Sequence, residues 1–355
     1  MASTYLLSST ASSLSPATSQ FPELVDSLRA KGFRPRNEFP CEYFISVNHN
    51  PKMYKSFIKS GGDPSKAALI MLEPFAVYPG QYKRSNRIKY SLVLAPGNPK
   101  YSFEGKMFVP WPYEAIPNPL HPTYEDFNLK KFVIQAVSRN LFQYENWMGR
   151  DRQIVLINAN KVSVVSAENY SLRRRFAKVL ESETLQVFGD MWVPSIKEKL
   201  LHRISVFLFA IKTGIFPNLV HVYGNLHWKF RTASGPIKNK QEILQRAKFS
   251  LVIENDDNYV SEKLLDAMIN GCIPIYRGGA LSTEILPPGL FIDLPENPMD
   301  LTKLLDSLSE EEIKMYLSNI SSFITSPSFL NYWDKHIVFE QIASILNEYF
   351  GGTDD

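Results

Sequence analysis

The densest group of polar side chains in the sequence follows a short apolar run near residue 250. The run Lys248–Ile253 is typical of a buried strand, and carboxylates, amides, a tyrosine, a serine and a lysine follow between Glu254 and Lys263. The pattern from Tyr259 to Asn270 predicts a helix, and Cys272–Tyr276 predicts the next strand. Ligands of open α/β sheets bind at the carboxyl ends of strands, so we expect a binding site in this loop.

The residue types in this loop suit an anionic, sugar-bearing ligand. Glu262 and Lys263 fall in the first turn of the predicted helix, where unpaired N–H groups and the helix dipole stabilise a diphosphate. Asn255 and Tyr259 can hydrogen-bond sugar or ribose hydroxyls, and Glu262 can oppose positive charge at an anomeric carbon. The competing interpretation is structural: residues 256–258 cap the helix, and Glu262 and Lys263 are solvated charges.

Residues 248–278 resemble the signature of glycosyltransferase family 10, the α-1,3/1,4-fucosyltransferases. That signature runs Phe-Glu-Asn, a short loop, a tyrosine, a Thr/Ser-Glu-Lys triplet and a strand that begins with proline and an apolar residue. This sequence has Ile-Glu-Asn at 253–255, Tyr259, Ser-Glu-Lys at 261–263 and Ile-Pro-Ile at 273–275. Shorter similarities to the family occur at 157–163, 171–176 and 220–224.

The resemblance implies a role for each matched residue. Arg173 corresponds to the family arginine that contacts the donor diphosphate, and a guanidinium is suited to bidentate binding of phosphate oxygens. Asn255, Tyr259, Glu262 and Lys263 correspond to residues that line the GDP-fucose pocket. The alternative for Arg173 and its two arginine neighbours is a basic, solvated helix face.

The catalytic base is less well specified than the donor site. Inverting transfer requires a carboxylate or an equivalent group to take the proton of the acceptor hydroxyl. The segment Pro96–Asn98 has no acid where the family suggests one, and the loop between Asn255 and Tyr259 is shorter than in the family. Glu73, Glu104 and Glu114 are the candidates, each also interpretable as a surface carboxylate, and Glu73 is preferred for its family-like setting.

The alternation of strands and helices predicts an α/β protein, and the resemblance implies the GT-B type, two Rossmann-like domains facing a cleft. We expect an acceptor-side domain at 21–150 and a nucleotide-sugar-binding domain at 151–350. Residues 1–20 are rich in Ser and Thr, contain no Lys or Arg, and are interpreted as a disordered leader.

Composition limits the partners that we expect. With 39 basic and 36 acidic residues interleaved along the chain, no nucleic-acid partner is predicted. Two distant cysteines and unpaired histidines provide no metal-ligand spacing, so neither a metal nor a cofactor is predicted besides the nucleotide sugar. The cysteine usage favours a reducing, cytoplasmic location.

The apolar stretch Ile204–Ile211 is too short to cross a membrane, which takes about 20 residues. A buried core helix is the preferred interpretation. The alternative is a helix on an anionic membrane surface, where lipid-linked acceptors reside, because Lys197, Lys199, Arg203 and Lys212 are nearby.

The function predicted from these features is inverting transfer of fucose, or of a related sugar, from a GDP-sugar to the hydroxyl of a saccharide or glycolipid. Two alternatives stay open at this point. One is a GT-B transferase that uses another nucleotide sugar, and the other is a catalytically silent glycan- or nucleotide-binding module. No feature of the sequence specifies an oligomeric state or the linkage formed.

Overall fold

A computed structural model of the chain describes residues 3–9, 18–96, 106–109, 129–180 (without 162, 164 and 166), 184–193, 197, 200, 201, 204, 207, 208, 211, 230, 233–257, 259–279 and 285–351. The chain divides into two compact units. The first consists of Met1–Tyr113 with Asn331–Asp355, and the second consists of Glu114–Leu330. Each unit is built around one parallel sheet.

The first unit contains a six-stranded sheet with strand order β2-β1-β3-β4-β5-β6, in which every neighbouring pair is parallel. Its strands are β1 Thr4–Ser9, β2 Arg34–Pro35, β3 Tyr43–Val47, β4 Ala67–Ile70, β5 Leu92–Pro96 and β6 Lys106–Val109. Its helices near the N-terminus are α1 Pro22–Ala30, α2 Pro51–Lys59 and α3 Arg84–Arg87, with short 3-10 helices at Thr18–Gln20, Pro64–Lys66 and Pro79–Tyr82.

The second unit contains a five-stranded parallel sheet with strand order β11-β10-β9-β7-β8. Its strands are β7 Arg152–Ile157, β8 Leu185–Phe188, β9 Ala247–Ile253, β10 Ile273–Arg277 and β11 Ile292–Asp293. The named helices of this unit are α4 Leu129–Ser138, α5 Tyr144–Met148, α6 Tyr170–Val179, α7 Lys240–Gln245, α8 Glu262–Ile269, α9 Pro298–Asp306 and α10 Glu310–Ile324. Helix α11, Pro327–Trp333, crosses the unit boundary after Leu330. Two parallel sheets with interspersed helices confirm the predicted α/β class.

The C-terminal helix α12, Lys335–Gly351, belongs to the first unit and not to the second. Val338, Ile342 and Leu346 are fully buried in the same apolar cluster as Leu7 of β1 and Leu24 of α1. Residues of α2 belong to a second cluster, which contains the side chains on the opposite face of the sheet. Burial of the apolar side of α12 is therefore satisfied by the sheet of the first unit.

Helices α4 and α5 belong to the second unit, although the predicted boundary at residue 150 assigns them to the first. The Trp147 indole N–H donates to the Lys248 carbonyl oxygen at 2.9 Å, and Arg150 Nη1 donates to the Ala247 carbonyl oxygen at 2.7 Å. Both bonds attach the segment to β9. The unit boundaries therefore differ from the predicted 21–150 and 151–350 at both ends.

The prediction of a disordered leader at 1–20 is wrong for Thr4–Ser9, which form β1. This strand lies between β2 and β3, and its register pairs Tyr5 with Tyr43 and Ser9 with Val47. Tyr5 and Leu7 face one apolar cluster, whereas Leu6 faces the other. A strand covered on both faces needs apolar and small residues instead of charges, which is why its sequence lacks Lys and Arg.

The prediction of a buried core helix near 204–211 is also wrong for the residues that the structure describes there. Ile204, Phe207, Leu208 and Ile211 are helical and exposed to solvent.

Replacing Leu7 by Ala tests the assignment of β1. The Leu7 side chain is 0% exposed, so the cavity should lower the free energy of unfolding by about 2–5 kcal/mol. As a control in the same unit, Ile88 is 71% exposed, and Ile88→Ala should change stability by no more than about 0.5 kcal/mol. Urea unfolding followed by circular dichroism measures both values, and equal small effects would contradict a structural role for β1.

Candidate functional site

The direction of chain progression reverses between β7 and β9 in the second sheet. Strand β8, which follows β7 in sequence, lies on one side of β7, whereas β9 lies on the other. In open parallel sheets such a reversal leaves a crevice outside the carboxyl ends of the two strands, where ligands bind. Residues 158–160 follow β7 and residues 254–257 follow β9, so both polar loops lie at this edge.

Arg173 connects the helix after β7 to the end of β9. Its guanidinium is buried, and Nε donates to the Ile253 carbonyl oxygen at 2.8 Å, a group that Nη2 also contacts. Nη2 donates in addition to Asn255 Oδ1 at 3.0 Å. Burial lowers the pKa of Arg173, and the nearby Tyr170 and Glu254 partly offset this effect. The structure thus brings together two residues that the sequence placed in one site, Arg173 and Asn255.

The other two members of the arginine triplet have different environments. Arg174 is buried, its Nη1 donates to the Lys161 carbonyl oxygen at 2.6 Å, and burial lowers its pKa to about 10. Arg175 is exposed and bonds to the carbonyl oxygen of Glu296. The interpretation of the triplet as one solvated helix face is therefore wrong for Arg173 and Arg174.

Glu254 is a site residue that sequence reasoning did not select. Its carboxylate is fully buried and accepts two bonds of 2.7 Å from Ser261, one from the backbone N–H and one from Oγ. Burial raises the pKa of Glu254, and the attraction of Lys263, whose Nζ lies 3.6 Å from Oε2, opposes the rise. An acid directly after a buried apolar strand was the signal available in the sequence.

Lys263 is held among oxygen atoms at the start of α8. Its Nζ donates to Ser261 Oγ at 2.7 Å and lies 3.4 Å from Glu262 Oε1. The Lys263 side chain is 17% exposed and that of Glu262 is 36% exposed. Burial acts to raise the pKa of Glu262, but Lys263 and Lys240 outweigh it and lower the pKa. The Glu262 side chain is partly exposed, so its carboxylate reaches solvent.

A second ion pair connects α7 to α8. Lys240 of α7 bonds to Asp266, which is buried. Burial raises the pKa of Asp266 to about 6, although Lys240 opposes the rise. The site therefore contains three cations, Arg173, Lys240 and Lys263, close to the three acids Glu254, Glu262 and Asp266.

The loop between β9 and α8 is fixed by its own bonds. Asp257 accepts two bonds of 2.9 Å from the guanidinium of Arg277 and one of 2.8 Å from Asn169 Nδ2. The Tyr259 carbonyl oxygen accepts from the Gly279 N–H at 2.8 Å. The N-cap of α8 is Ser261, so the interpretation of residues 256–258 as the helix cap is wrong for the described Asp256 and Asp257. Asn258 lies outside the described residues.

The carboxyl end of β7 contains a buried amide. Within the part of the chain that the structure describes, Asn158 Nδ2 and Oδ1 have no hydrogen-bond partner, and its carbonyl oxygen accepts from the Trp192 indole. Gly189 has a φ of +129°, and a Cβ there would lie 2.2 Å from the Asn158 carbonyl oxygen. Only glycine permits this close approach, so the backbone around Asn158 is tightly packed.

Glu73, the preferred candidate base, lies in the first unit after β4. Its N–H donates to Asn48 Oδ1 at 2.9 Å, and its carbonyl oxygen accepts from Gln81 Nε2 at 2.7 Å and from the Tyr82 hydroxyl at 3.0 Å. These bonds fix the backbone at a strand end, and the residue is half-buried. The other two candidates, Glu104 and Glu114, lie outside the described residues.

Among the described residues, no group of three or more His, Cys, Asp or Glu side chains is arranged to hold a metal ion. Both cysteines are free thiols.

Comparisons of the sequence with known proteins agree with the resemblance found in the signature. The family model for the C-terminal part of glycosyltransferase family 10 (fucosyltransferase) matches residues 215–323. An α-(1,3)-fucosyltransferase of Helicobacter pylori is 26% identical over 117 residues, which are 31% of this chain and 24% of that protein. The match thus spans about a quarter of this relative, and the predicted resemblance to the family is confirmed.

Solved structures with a similar fold are glycosyltransferases. An α1,3-fucosyltransferase with GDP is 16% identical, with a TM-score of 0.53 over 99% of this chain and 92% of that chain. A Rickettsia africae glycosyltransferase is 11% identical, with a TM-score of 0.52 over 99% of both chains. Anabaena HepE in complex with UDP is 9% identical, with a TM-score of 0.51 over 98% of this chain and 100% of that chain. The fold is therefore of the GT-B type, as predicted.

Two serine caps of the second unit provide a test of the Glu254 cluster. Ser309 caps α10 at an exposed position, and Ser309→Ala should cost about 1 kcal/mol. Ser261→Ala should cost more, about 2–3 kcal/mol, because it also removes a donor from the buried Glu254 carboxylate. Urea unfolding of the two variants measures the difference. Equal costs would show that Glu254 does not depend on the Ser261 hydroxyl.

Proposed function

We propose that this chain is a glycosyltransferase that transfers fucose, or a closely related sugar, from a GDP-sugar to a hydroxyl of a saccharide or glycolipid with inversion. The observation that carries the proposal is the cationic edge between β7 and β9, where Arg173 and Lys263 come from separate segments. In the proposed reaction the acceptor oxygen attacks the anomeric carbon, the bond to the diphosphate breaks and GDP leaves. No metal ion takes part in this proposal.

The electrostatics of the site support binding of a diphosphate. Lys263 Nζ lies among Ser261 Oγ, Glu254 and Glu262, and its flexible four-carbon stem lets it turn toward an incoming phosphate. The first turn of α8 adds the positive end of the helix dipole, although the Ser261 hydroxyl already accepts from the Lys263 N–H. Burial raises the pKa of Glu254. This carboxyl can therefore take up a proton when Lys263 turns away from it toward the ligand.

The sugar is assigned to the partly exposed side of the same cluster. Glu262 is a carboxylate with access to solvent, so it can accept a bond from a sugar hydroxyl and oppose positive charge that develops at the anomeric carbon. Asn255 and Tyr259 are assigned to hydroxyls of the donor. The family match and the similar fucosyltransferase structure with GDP favour GDP-fucose, whereas the similarity to HepE with UDP makes UDP-sugars the comparison to test.

Glu73 is assigned the role of general base. A base must be held in place while it takes a proton, and the backbone of Glu73 is bonded on both its N–H and its carbonyl side. Glu73 is half-buried and follows a parallel strand. The sequence Leu72-Glu-Pro around it resembles a strand of the family.

GDP binding by variants of Lys263 and Arg173 tests the proposed diphosphate site. Lys263→Ala should weaken GDP binding by about 10- to 100-fold, because it removes a charge-assisted bond to phosphate. Arg173→Lys should weaken it to a similar extent, because one ammonium group cannot bond Ile253, Asn255 and a phosphate as the guanidinium can. Arg175→Ala is the matched control, since Arg175 is exposed on the same helix as Arg173, and it should change affinity less than about twofold. Isothermal titration calorimetry with GDP, GDP-fucose and UDP measures these affinities, and thermal unfolding verifies that each variant is folded.

Two results of this titration would contradict the proposal. Equal loss of GDP affinity in Arg175→Ala would show a non-specific charge effect. Unchanged GDP affinity in Lys263→Ala would show that the diphosphate does not bind at the start of α8. Tighter binding of UDP than of GDP would indicate that the donor is a UDP-sugar and not a GDP-sugar.

Replacing Glu73 by Gln tests the base. GDP release that depends on an acceptor should slow by about 10²- to 10⁴-fold in kcat, while GDP affinity stays unchanged, because the proton acceptor is lost and the donor site is intact. Glu42→Gln is the control, since Glu42 is an exposed acid of the same unit that pairs with Lys66. Full activity in Glu73→Gln would exclude this residue as the base, and donor binding without any turnover in the wild type would identify a silent binding module.

A further inference from the structure

The segment between residues 197 and 211 presents an apolar surface to solvent. All seven described residues in it are helical, and six are large apolar side chains that are 47–60% exposed. We call these six residues the apolar face: Leu200, Leu201, Ile204, Phe207, Leu208 and Ile211. Ile88, by contrast, is a single exposed apolar residue and needs no explanation.

The spacing of the apolar face places its members together. Intervals of three, four and seven residues recur among them, so they lie on one side of a helix with 3.6 residues per turn. An apolar surface of this kind on a water-soluble unit marks a site of interaction with a membrane or a protein. None of the described helices is long and apolar enough to cross a membrane.

Charge identifies the occupant. Residues 197–212 contain four basic residues and one acid, Glu198, a net charge of +3. Lys197 is exposed one turn before the apolar face begins. Two copies of this surface packed together would bring like charges into contact, whereas the headgroups of an anionic bilayer are complementary to them.

We propose that the apolar face inserts into the interfacial region of an anionic membrane, with the helix parallel to the bilayer plane. The aliphatic and aromatic side chains enter the boundary between headgroups and acyl chains, and Lys197 contacts anionic headgroups. The inference depends only on exposure and charge, so it stands or falls independently of the proposed transferase activity.

Vesicle flotation with the full chain tests this surface. Wild-type protein should float with vesicles of phosphatidylcholine that contain about a third phosphatidylglycerol, and binding should fall about 10-fold or more on vesicles of phosphatidylcholine alone. Salt at about 0.5 M should weaken binding to the anionic vesicles, because it screens the headgroup charge. Lys197→Glu should weaken binding several-fold on the anionic vesicles only.

A double variant distinguishes vesicle binding by the apolar face from non-specific adsorption. Leu201→Ser with Phe207→Ser should lower vesicle binding about 10-fold or more, because two apolar side chains no longer enter the bilayer. The control, Ile88→Ser with Met299→Ser, changes two side chains that are at least as exposed and should bind like the wild type. All four positions are exposed, so thermal unfolding and GDP affinity should be unchanged.

Three outcomes would overturn the proposal. Absence of flotation with anionic vesicles, or equal flotation of both double variants, would show that the apolar face does not bind membranes. Sedimentation of the wild type as a dimer that Leu201→Ser with Phe207→Ser abolishes, without vesicle binding, would assign the apolar face to a second copy of the chain.

Discussion

The candidate site depends on one buried contact, the guanidinium of Arg173 against the carbonyl oxygen of Ile253. This contact joins the helix after β7 to the last residue of β9, the two strands between which the chain direction reverses. A buried cation is costly unless it is bonded, and here Asn255 Oδ1 and a backbone oxygen share that role. The position of the β9 loop and the burial of Arg173 are therefore linked, because neither is stable without the other.

The same constraint shapes the charges around α8. Glu254 follows Ile253 directly, so the fixed strand end also fixes a buried carboxylate, and Ser261 and Lys263 supply its bonds. Cations and acids alternate closely enough that each lowers the cost of burying its neighbour. The proposed diphosphate would compete with these acids for Lys263.

The sequence predicted the local features better than the distant ones. Strand β9 ends at Ile253 as predicted and begins one residue before its prediction. Helix α8 begins at Glu262 instead of Tyr259, because the Tyr259 carbonyl oxygen is bonded to Gly279 beyond β10, a partner that periodicity does not reveal. Strand β1 was missed because its partners lie far along the chain, Arg34 opposite Thr4 and Tyr43 opposite Tyr5. The docking of α12 on the first sheet was missed for the same reason, since an apolar helix face does not specify the sheet that covers it.

The two units use the same strand order for different chemistry. In the first sheet, β1 lies between β2 and β3, so the chain direction reverses there as it does between β7 and β9. The polar residues at that point bond within the unit, because Asn50 Nδ2 donates to the Ser9 carbonyl oxygen and Asn48 Oδ1 accepts from two backbone N–H groups. None of these amides carries a charge, whereas the second unit gathers arginine, lysine and carboxylates at its reversal. The charged cluster to which we assign the anionic donor therefore belongs to the second unit, whereas Glu73, the proposed base, belongs to the first.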